Sequence, residues 1–422
     1  MSEFIIKGEK MLTGTIPVRG AKNHALKVFP AALLCKDALT VTNVPDIEDI
    51  AREVELLEDL GFSVVNTRTR EYIIHPPKKI VKKELYSLVA ERFRASIAFV
   101  GPLLARTGEV AFPFPGGCVL GKRPIDFFLD GWCKMGARVR ETKKGLTITA
   151  PKEGLQGIDY TFRFVSVGAT EGLMMTAILA RGRTILRNAS IEPEVTALTE
   201  FLISCGARIE GAGTSTLSIE GRAGTLLSGG KTEIIPDRIE TGSFAILAGL
   251  IGRSVTITDC NPAHVSVLIA HLRAAGVSIT EKKNSLTISR AKKIMPVDVR
   301  TREYPGFATD HQAPFTVFLT QATGVSMVHE TVFDGRLFYT NDVNRMGAHI
   351  IQCDLHRAIV FGPTLLHGRV MESPDLRAGI AFVIAALIAK GESRIGNLYH
   401  IDRGYEALDE RLRAIGADIR RV

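Results

Sequence analysis

Six glycines at nearly even intervals constrain this chain more than any other feature. Gly61, Gly136, Gly206, Gly276, Gly347 and Gly416 are separated by 75, 70, 70, 71 and 69 residues. Each stands in the same phrase: an amphipathic run, then Gly, a small residue and a strand-forming stretch, as in LLEDLGFSVV, FLISCGARIE and HLRAAGVSIT. A glycine just past a helical pattern reads as a left-handed C-cap, because positive φ brings no Cβ clash there. Self-similarity at a fixed period signals one supersecondary unit used repeatedly. Between the phrases lies a second helix, apolar almost all round: ALKVFPAALL, SIAFVGPLLA, EGLMMTAILA, SFAILAGLIG, PFTVFLTQAT and GIAFVIAALIA. A helix without a polar face belongs in the middle of a domain. The unit is therefore helix, strand, helix, strand, turn, strand, and the class is α/β.

The sixth copy is cut short, since only ADIRRV follows Gly416. The N-terminal EFIIKGE reads as a strand with no helix before it. It is expected to complete the last unit and to put both termini in one lobe. Six units then divide three and three, with crossovers near Gly20-Ala21 and Gly229-Gly230-Lys231. The expected lobes are 21–233, and 1–20 plus 234–422. A double connection between similar lobes suits hinge closure over a cleft that holds the active site.

The bulk numbers exclude several classes. With 422 residues, 45% hydrophobic and 23% charged, the chain is ordinary globular material. The net charge of +8 favours anionic partners mildly. Lysines and arginines are interspersed with acids and there is a single Trp, which disfavours nucleic acid. The longest apolar run, Ala378 to Ala389, is too short to cross a bilayer. No secretory h-region follows MSEFIIKGEK, so a cytoplasmic location with reduced thiols is expected for the six scattered cysteines.

What precedes each apolar helix carries the functional signal: Lys22-Asn23, Arg94-Ala-Ser96, Ser166-Val-Gly-Ala-Thr170, Arg238-Ile-Glu-Thr241, Asp310-His-Gln312 and Asp375-Leu-Arg377. Ser and Asp are ordinary N-caps. Lys22, Arg94, Arg238 and Arg377 oppose the helix dipole, so capping does not explain them. Cations together with free N–H groups at helix starts make an anion-binding surface. The loop Pro115-Gly-Gly-Cys118-Val-Leu-Gly-Lys-Arg123-Pro124 sets a cysteine among glycines and beside two cations, a way to bring a reactive thiol to an anion. Its G-x-x-x-x-G-K spacing continues with Arg123 rather than Ser or Thr, which rules out a nucleotide-hydrolysing P-loop. No zinc-type Cys/His spacing and no G-x-S-x-G elbow occurs, so neither a metal nor a cofactor is indicated.

Jointly these motifs resemble the UDP-N-acetylglucosamine 1-carboxyvinyltransferase family of enolpyruvyl transferases. The resemblance rests on Gly20-Ala-Lys-Asn23, Arg94-Ala-Ser96, Pro115 to Pro124, Ser166 to Glu171 and Pro236 to Gly242. It continues through Thr309-Asp310, Glu330 to Phe333 with Arg336, Asp375-Leu-Arg377 and Tyr399 to Tyr405, from about residue 8 to the C-terminus. It implies an inside-out α/β barrel of six repeats in two lobes. It also implies a reaction, the first committed step of peptidoglycan synthesis: the enolpyruvyl group of phosphoenolpyruvate passes to the 3-hydroxyl of UDP-N-acetylglucosamine through a tetrahedral ketal, and phosphate leaves.

Residue by residue, the resemblance implies Asp310 as general base and Cys118 as general acid, able also to form a covalent adduct. Lys22 and Arg403 join them as catalytic. Phosphoenolpyruvate falls to Lys22, Asn23, Arg123, Arg336, Arg377 and Arg403, with Asp375 supporting. The UDP-sugar falls to Asn23, Arg94, Arg123, Pro124, Ile125, Asp126, Phe127, Phe164, Val165, Ser166, Val167, Asp310 and Val332. No cofactor, metal, nucleic acid, membrane or obligate protein partner is implied. Asp46 and Glu48 depart from the basic residues found in some members, and Ile191 and Ala308 stand where a basic residue and a proline are expected. Two rival readings remain: 5-enolpyruvylshikimate-3-phosphate synthase, with a smaller acceptor, and a catalytically silent UDP-sugar-binding paralogue. The Cys118 loop and the Ser166-Val-Gly motif favour the UDP-sugar enzyme.

Overall fold

The structure, a computed structural model, describes residues 2–85, 94–113 and 125–422. Cys118, Arg123 and Pro124 lie outside the described residues. The chain divides into two compact units. One runs from Gly20 to Ile235 among the described residues; the other holds residues 2–19 and Pro236–Val422.

The six repeat glycines all adopt positive φ: 88°, 98°, 99°, 94°, 113° and 101° in chain order. Each stops a helix and lets the chain turn into a hairpin strand. Gly206 N–H, for example, bonds Ile203 O, and Ala207 N–H bonds Leu202 O. This closes the left-handed cap that the spacing predicts.

Among the described residues there are six sheets, five of them four-stranded with one shared topology. A central strand pairs in parallel with one neighbour and antiparallel with the inner strand of a hairpin. Gly252–Thr258, for instance, takes Leu12–Pro17 in parallel and Ser285–Ser289 antiparallel. In the last sheet Phe4–Lys7 pairs antiparallel with both Glu392–Gly396 and Asp418–Arg421, so the N-terminal strand fills the place of the missing hairpin partner.

Among the described residues the chain changes unit twice. Gly230–Glu233 pairs with Leu39–Thr42 in the first unit, while Leu12–Pro17 pairs with Gly252–Thr258 in the second. The two connecting segments run side by side, Ala21 N–H to Ile235 O at 2.7 Å and Asp237 N–H to Arg19 O at 2.8 Å.

Each unit buries three of the apolar helices: Lys22–Ala31, Ile97–Thr107 and Val167–Leu179 in the first, Arg238–Ile251, Gln312–Leu319 and Leu376–Ile388 in the second. Phe99, Leu173, Met174, Phe318, Phe382 and Ile384 are wholly buried. Burial of each such side chain contributes roughly 1.5–3 kcal/mol, which is what holds helices of this composition at the centre. No described helix is long and apolar enough to cross a membrane.

Arg411 seals the second unit. Its guanidinium grips Glu240 through both nitrogens, at 2.6 and 2.9 Å, and also donates to the carbonyl of Pro17. Arg19 N–H donates to the same carboxylate at 2.8 Å. The crossover segment is thus fastened to a buried helix by a bidentate ion pair.

Candidate functional site

In the second unit, Asp310 lies in a 3-10 turn, Thr309–His311, just before the buried helix Gln312–Leu319. Arg336 donates to Oδ1 of Asp310 at 2.7 Å and Arg377 to Oδ2 at 3.0 Å. Burial alone would raise this carboxyl, but Arg377 and Arg336, with Arg238 beyond them, hold it far below the usual carboxylate range. Asp310 in this state is a firmly ionised anion and a weak base.

Neighbouring groups fix that geometry. Arg336 also donates to Thr309 Oγ1 at 2.7 Å. Glu330, fully buried, accepts from Thr309 Oγ1 at 2.7 Å, from Thr301 Oγ1 at 3.0 Å and from the N–H groups of Val332 and Phe333 at 2.8 and 3.1 Å. One carboxylate therefore ties the Asp310 turn to the loop carrying Val332. His311, whose buried ring is pushed down to about 4 by burial and then by Arg238, meets Ile239 O at 3.2 Å and is the neutral donor there. Gly242 makes room for it, since a Cβ there would stand 2.2 Å from His311 Nε2.

Asp375 is the N-cap of Leu376–Ile388: its Oδ1 accepts from Arg377 N–H at 2.6 Å and Ala378 N–H at 3.1 Å. Asp237 caps Arg238–Ile251 in the same way, at 2.7 and 3.0 Å. The expectation that helix-start N–H groups add to an anion surface needs correcting at these two helices. Their free donors are already taken by aspartates, because an Asp at the N-cap satisfies two of them at once. The cationic side chains remain. Arg403 follows the short helix Tyr399–Asp402, half-buried, its guanidinium 5.9 Å from the Tyr399 ring centre.

In the first unit, Lys22 opens a buried helix and is itself buried. Its Nζ meets Asp49 Oδ2 at 2.6 Å, in the first turn of the helix Glu48–Asp59. Asn23, next to it, is half-buried. Arg94 begins the 3-10 turn Arg94–Ser96 that leads into Ile97–Thr107. Ser166 caps Val167–Leu179 through Ala169 N–H at 3.4 Å. Phe164 is 57% exposed at the start of this helix and packs edge-on to Phe127 at 4.6 Å. Asp126 pairs with Arg163 at 2.6 Å, and Arg163 also lies over the Phe127 ring. Ile125, Asp126, Phe127, Phe164, Val165, Ser166 and Val167 are thus brought together on one unit. Lys22 and Asn23 lie on another helix of that unit. Glu48, one of the departures, forms an ordinary helical pair with Arg52 at 2.6 Å.

The sequence profile of the family described as "EPSP synthase (3-phosphoshikimate 1-carboxyvinyltransferase)" matches residues 6–412. A curated UDP-N-acetylglucosamine 1-carboxyvinyltransferase from Solibacter usitatus is 42% identical, with all of both chains covered. Another from Koribacter versatilis is 41% identical and covers all of this chain and 97% of its own. The chain belongs to the UDP-N-acetylglucosamine 1-carboxyvinyltransferases. This family and the profile's description share 1-carboxyvinyl transfer and differ in the acceptor named. Two solved structures share the fold: the enolpyruvyl transferase NikO from Streptomyces tendae, with a TM-score of 0.89 at 24% identity, and EPSP synthase from Acinetobacter baumannii, with 0.74 at 20%. Each is covered to 99%, and this chain to 100%. This chain therefore has the enolpyruvyl transferase fold.

In the sequence, Glu330 and Thr309 stand out only as parts of motifs. Asp49 and the buried acids around Lys22 carry no motif in the sequence. Asp49 had a faint signal, an acid in the first turn of an amphipathic helix, but its lysine partner is 27 residues away and only folding joins them. Among the described residues, Cys133 and Cys353 are exposed thiols.

Proposed function

We propose that this chain transfers the enolpyruvyl group of phosphoenolpyruvate to the 3-hydroxyl of UDP-N-acetylglucosamine, releasing phosphate, as the entry into peptidoglycan synthesis. The observation that carries the reading is Asp310 clasped between Arg336 and Arg377.

A carboxylate so held is a poor base. The carboxylate and phosphate of phosphoenolpyruvate compete with it for the same guanidinium forks, which suit such groups bidentately. As Arg336 and Arg377 turn to the substrate, Asp310 loses its counter-charges and its basicity rises. Lys22 leaves Asp49 for the substrate by the same exchange, and Arg123 and Arg403 complete the anion site. Substrate binding thus switches the base on.

In the addition, the sugar hydroxyl loses its proton to Asp310 and its oxygen bonds to C2 of phosphoenolpyruvate. C3 gains a proton from Cys118. In the elimination, C3 gives up a proton and the C2–O bond to phosphate breaks. A base and an acid so placed each contribute about 10²–10⁴-fold. Asn23, Arg94, Pro124, Ile125, Asp126, Phe127, Val332 and the Phe164 to Val167 stretch hold the UDP-sugar.

Mass spectrometry of UDP-N-acetylglucosamine after incubation with phosphoenolpyruvate tests the reading. The sugar nucleotide should gain one enolpyruvyl group with wild type and none with Asp310→Ala. Modification of shikimate 3-phosphate instead would assign the chain to the other acceptor.

A further inference from the structure

Behind the helix starts of the first unit lie Lys27, Glu171 and Glu53, ionisable groups that no step above uses. Three helices supply them in register. Asn23 and Lys27 stand one turn apart on Lys22–Ala31, Val167 and Glu171 on Val167–Leu179, and Asp49 and Glu53 on Glu48–Asp59. Residues four apart share a helix face, and helical side chains lean towards the N-terminus. Lys27 and Glu171 therefore reach back towards the turns that carry Asn23 and Val167. Lys27 Nζ meets Glu171 Oε2 at 3.5 Å, with the side chains 16% and 1% exposed. Glu53, wholly buried, has no hydrogen-bond partner on either carboxyl oxygen. An ionised carboxylate left so would be very costly, so Glu53 is the neutral acid.

We propose that the Lys27–Glu171 pair is a positioning device for the reaction. It fastens the helix bearing Lys22 and Asn23 to the helix bearing Ser166 and Val167, one turn behind those residues. It loosens when Glu171 takes up a proton. The inference rests on the roles given above to Lys22, Asn23, Ser166 and Val167.

Several charged groups of the described residues surround the pair. Lys22, His24 and Lys27 come from one helix, Asp49 and Glu53 from the second, and Glu192 and Glu194 from the start of Pro193–Ser204. Burial pushes the Glu171 carboxyl up to about 7, Lys27 opposes that, and Glu194 and Glu192 add to it. Burial leaves His24 neutral, at about 4. The tie is thus charged above neutrality and weakened below it.

The test is the pH dependence of kcat and of KM for UDP-N-acetylglucosamine in wild type, Glu171→Gln, Lys27→Met and Lys27→Arg. In Glu171→Gln the tie lacks its carboxylate at every pH. KM at pH 8 should rise about tenfold to a hundredfold with kcat changed far less, the scale set by small misplacements of positioning groups. The acid limb of kcat/KM near pH 7 should vanish. In Lys27→Met the limb should move to higher pH, because Glu171 loses its cation, and Lys27→Arg should restore it. Limbs unchanged in all variants would overturn the proposal, even if some variants melt earlier. The pH dependence of UDP-N-acetylglucosamine binding gives a second readout without turnover. A shift of that dependence in Glu171→Gln supports the device even if phosphate is never released, and that second result would count only against the function reading.

Discussion

Arg377→Met removes one of the two guanidinium groups on Asp310 and keeps roughly the stem that packs beside it. The Asp310 side chain is 22% exposed and that of Arg377 10%, so the pair is mostly shielded from solvent. At an effective dielectric near 20, unit charges about 4 Å apart interact by about 4 kcal/mol. Removing one partner of a buried pair costs about 3–5 kcal/mol. Arg336 stays at 2.7 Å and limits the damage, so a loss of about 2–3 kcal/mol is expected. In a unit of this size that lowers Tm by about 4–12 °C.

The pH dependence supplies a sharper check. The folded-state value of Asp310 is depressed, so its contribution is present above the unfolded carboxyl value and fades as pH falls through the folded one. The wild-type contribution should therefore be full at pH 7 and fade below about pH 4, whereas the gap between wild type and variant, which share the unfolded carboxyl, shrinks only as pH falls through the variant's own folded value. Calorimetry at pH 7 and pH 3 measures both. A Tm change under about 2 °C at pH 7 would refute the clasp as described.

Two further outcomes follow from buried acids. Arg411→Met leaves Glu240 buried without its bidentate partner and should cost about 3–5 kcal/mol in urea unfolding; a loss below 1 kcal/mol would mean the crossover is held by packing instead. Glu53 has its carboxyl raised well above the ordinary range by burial, so wild-type stability should fall as pH rises through that value. Glu53→Gln should remove this fall and match wild type only below about pH 4, and equal slopes of the two proteins from about pH 5 upward would contradict a neutral Glu53.

The architecture was legible because its signals are local. A glycine that must adopt positive φ, such as Gly276 at 94°, announces a helix end by itself, and six of them expose the repeat. The absence of a polar face on Leu376–Ile388 announces burial equally directly. The electrostatics of the site were not legible, because partners are set by tertiary packing. Asp375 and Arg377 read as site charges. Asp375 proves to be a cap, and Arg377 is committed to Asp310, 67 residues away. Glu53 sits in the run EDIAREVELLED, where acids look solvated, yet it is fully buried opposite the helix of Lys27. A periodic pattern says which face is apolar, not which acid the facing helix has room to bury.

Phosphate release from phosphoenolpyruvate, followed continuously with and without UDP-N-acetylglucosamine, tests the central claim most directly. The account predicts release only when the sugar nucleotide is present, one phosphate for each acceptor consumed, and loss of turnover in both Cys118→Ala and Asp310→Ala. Equal release without the acceptor, or undiminished turnover in either variant, would contradict it.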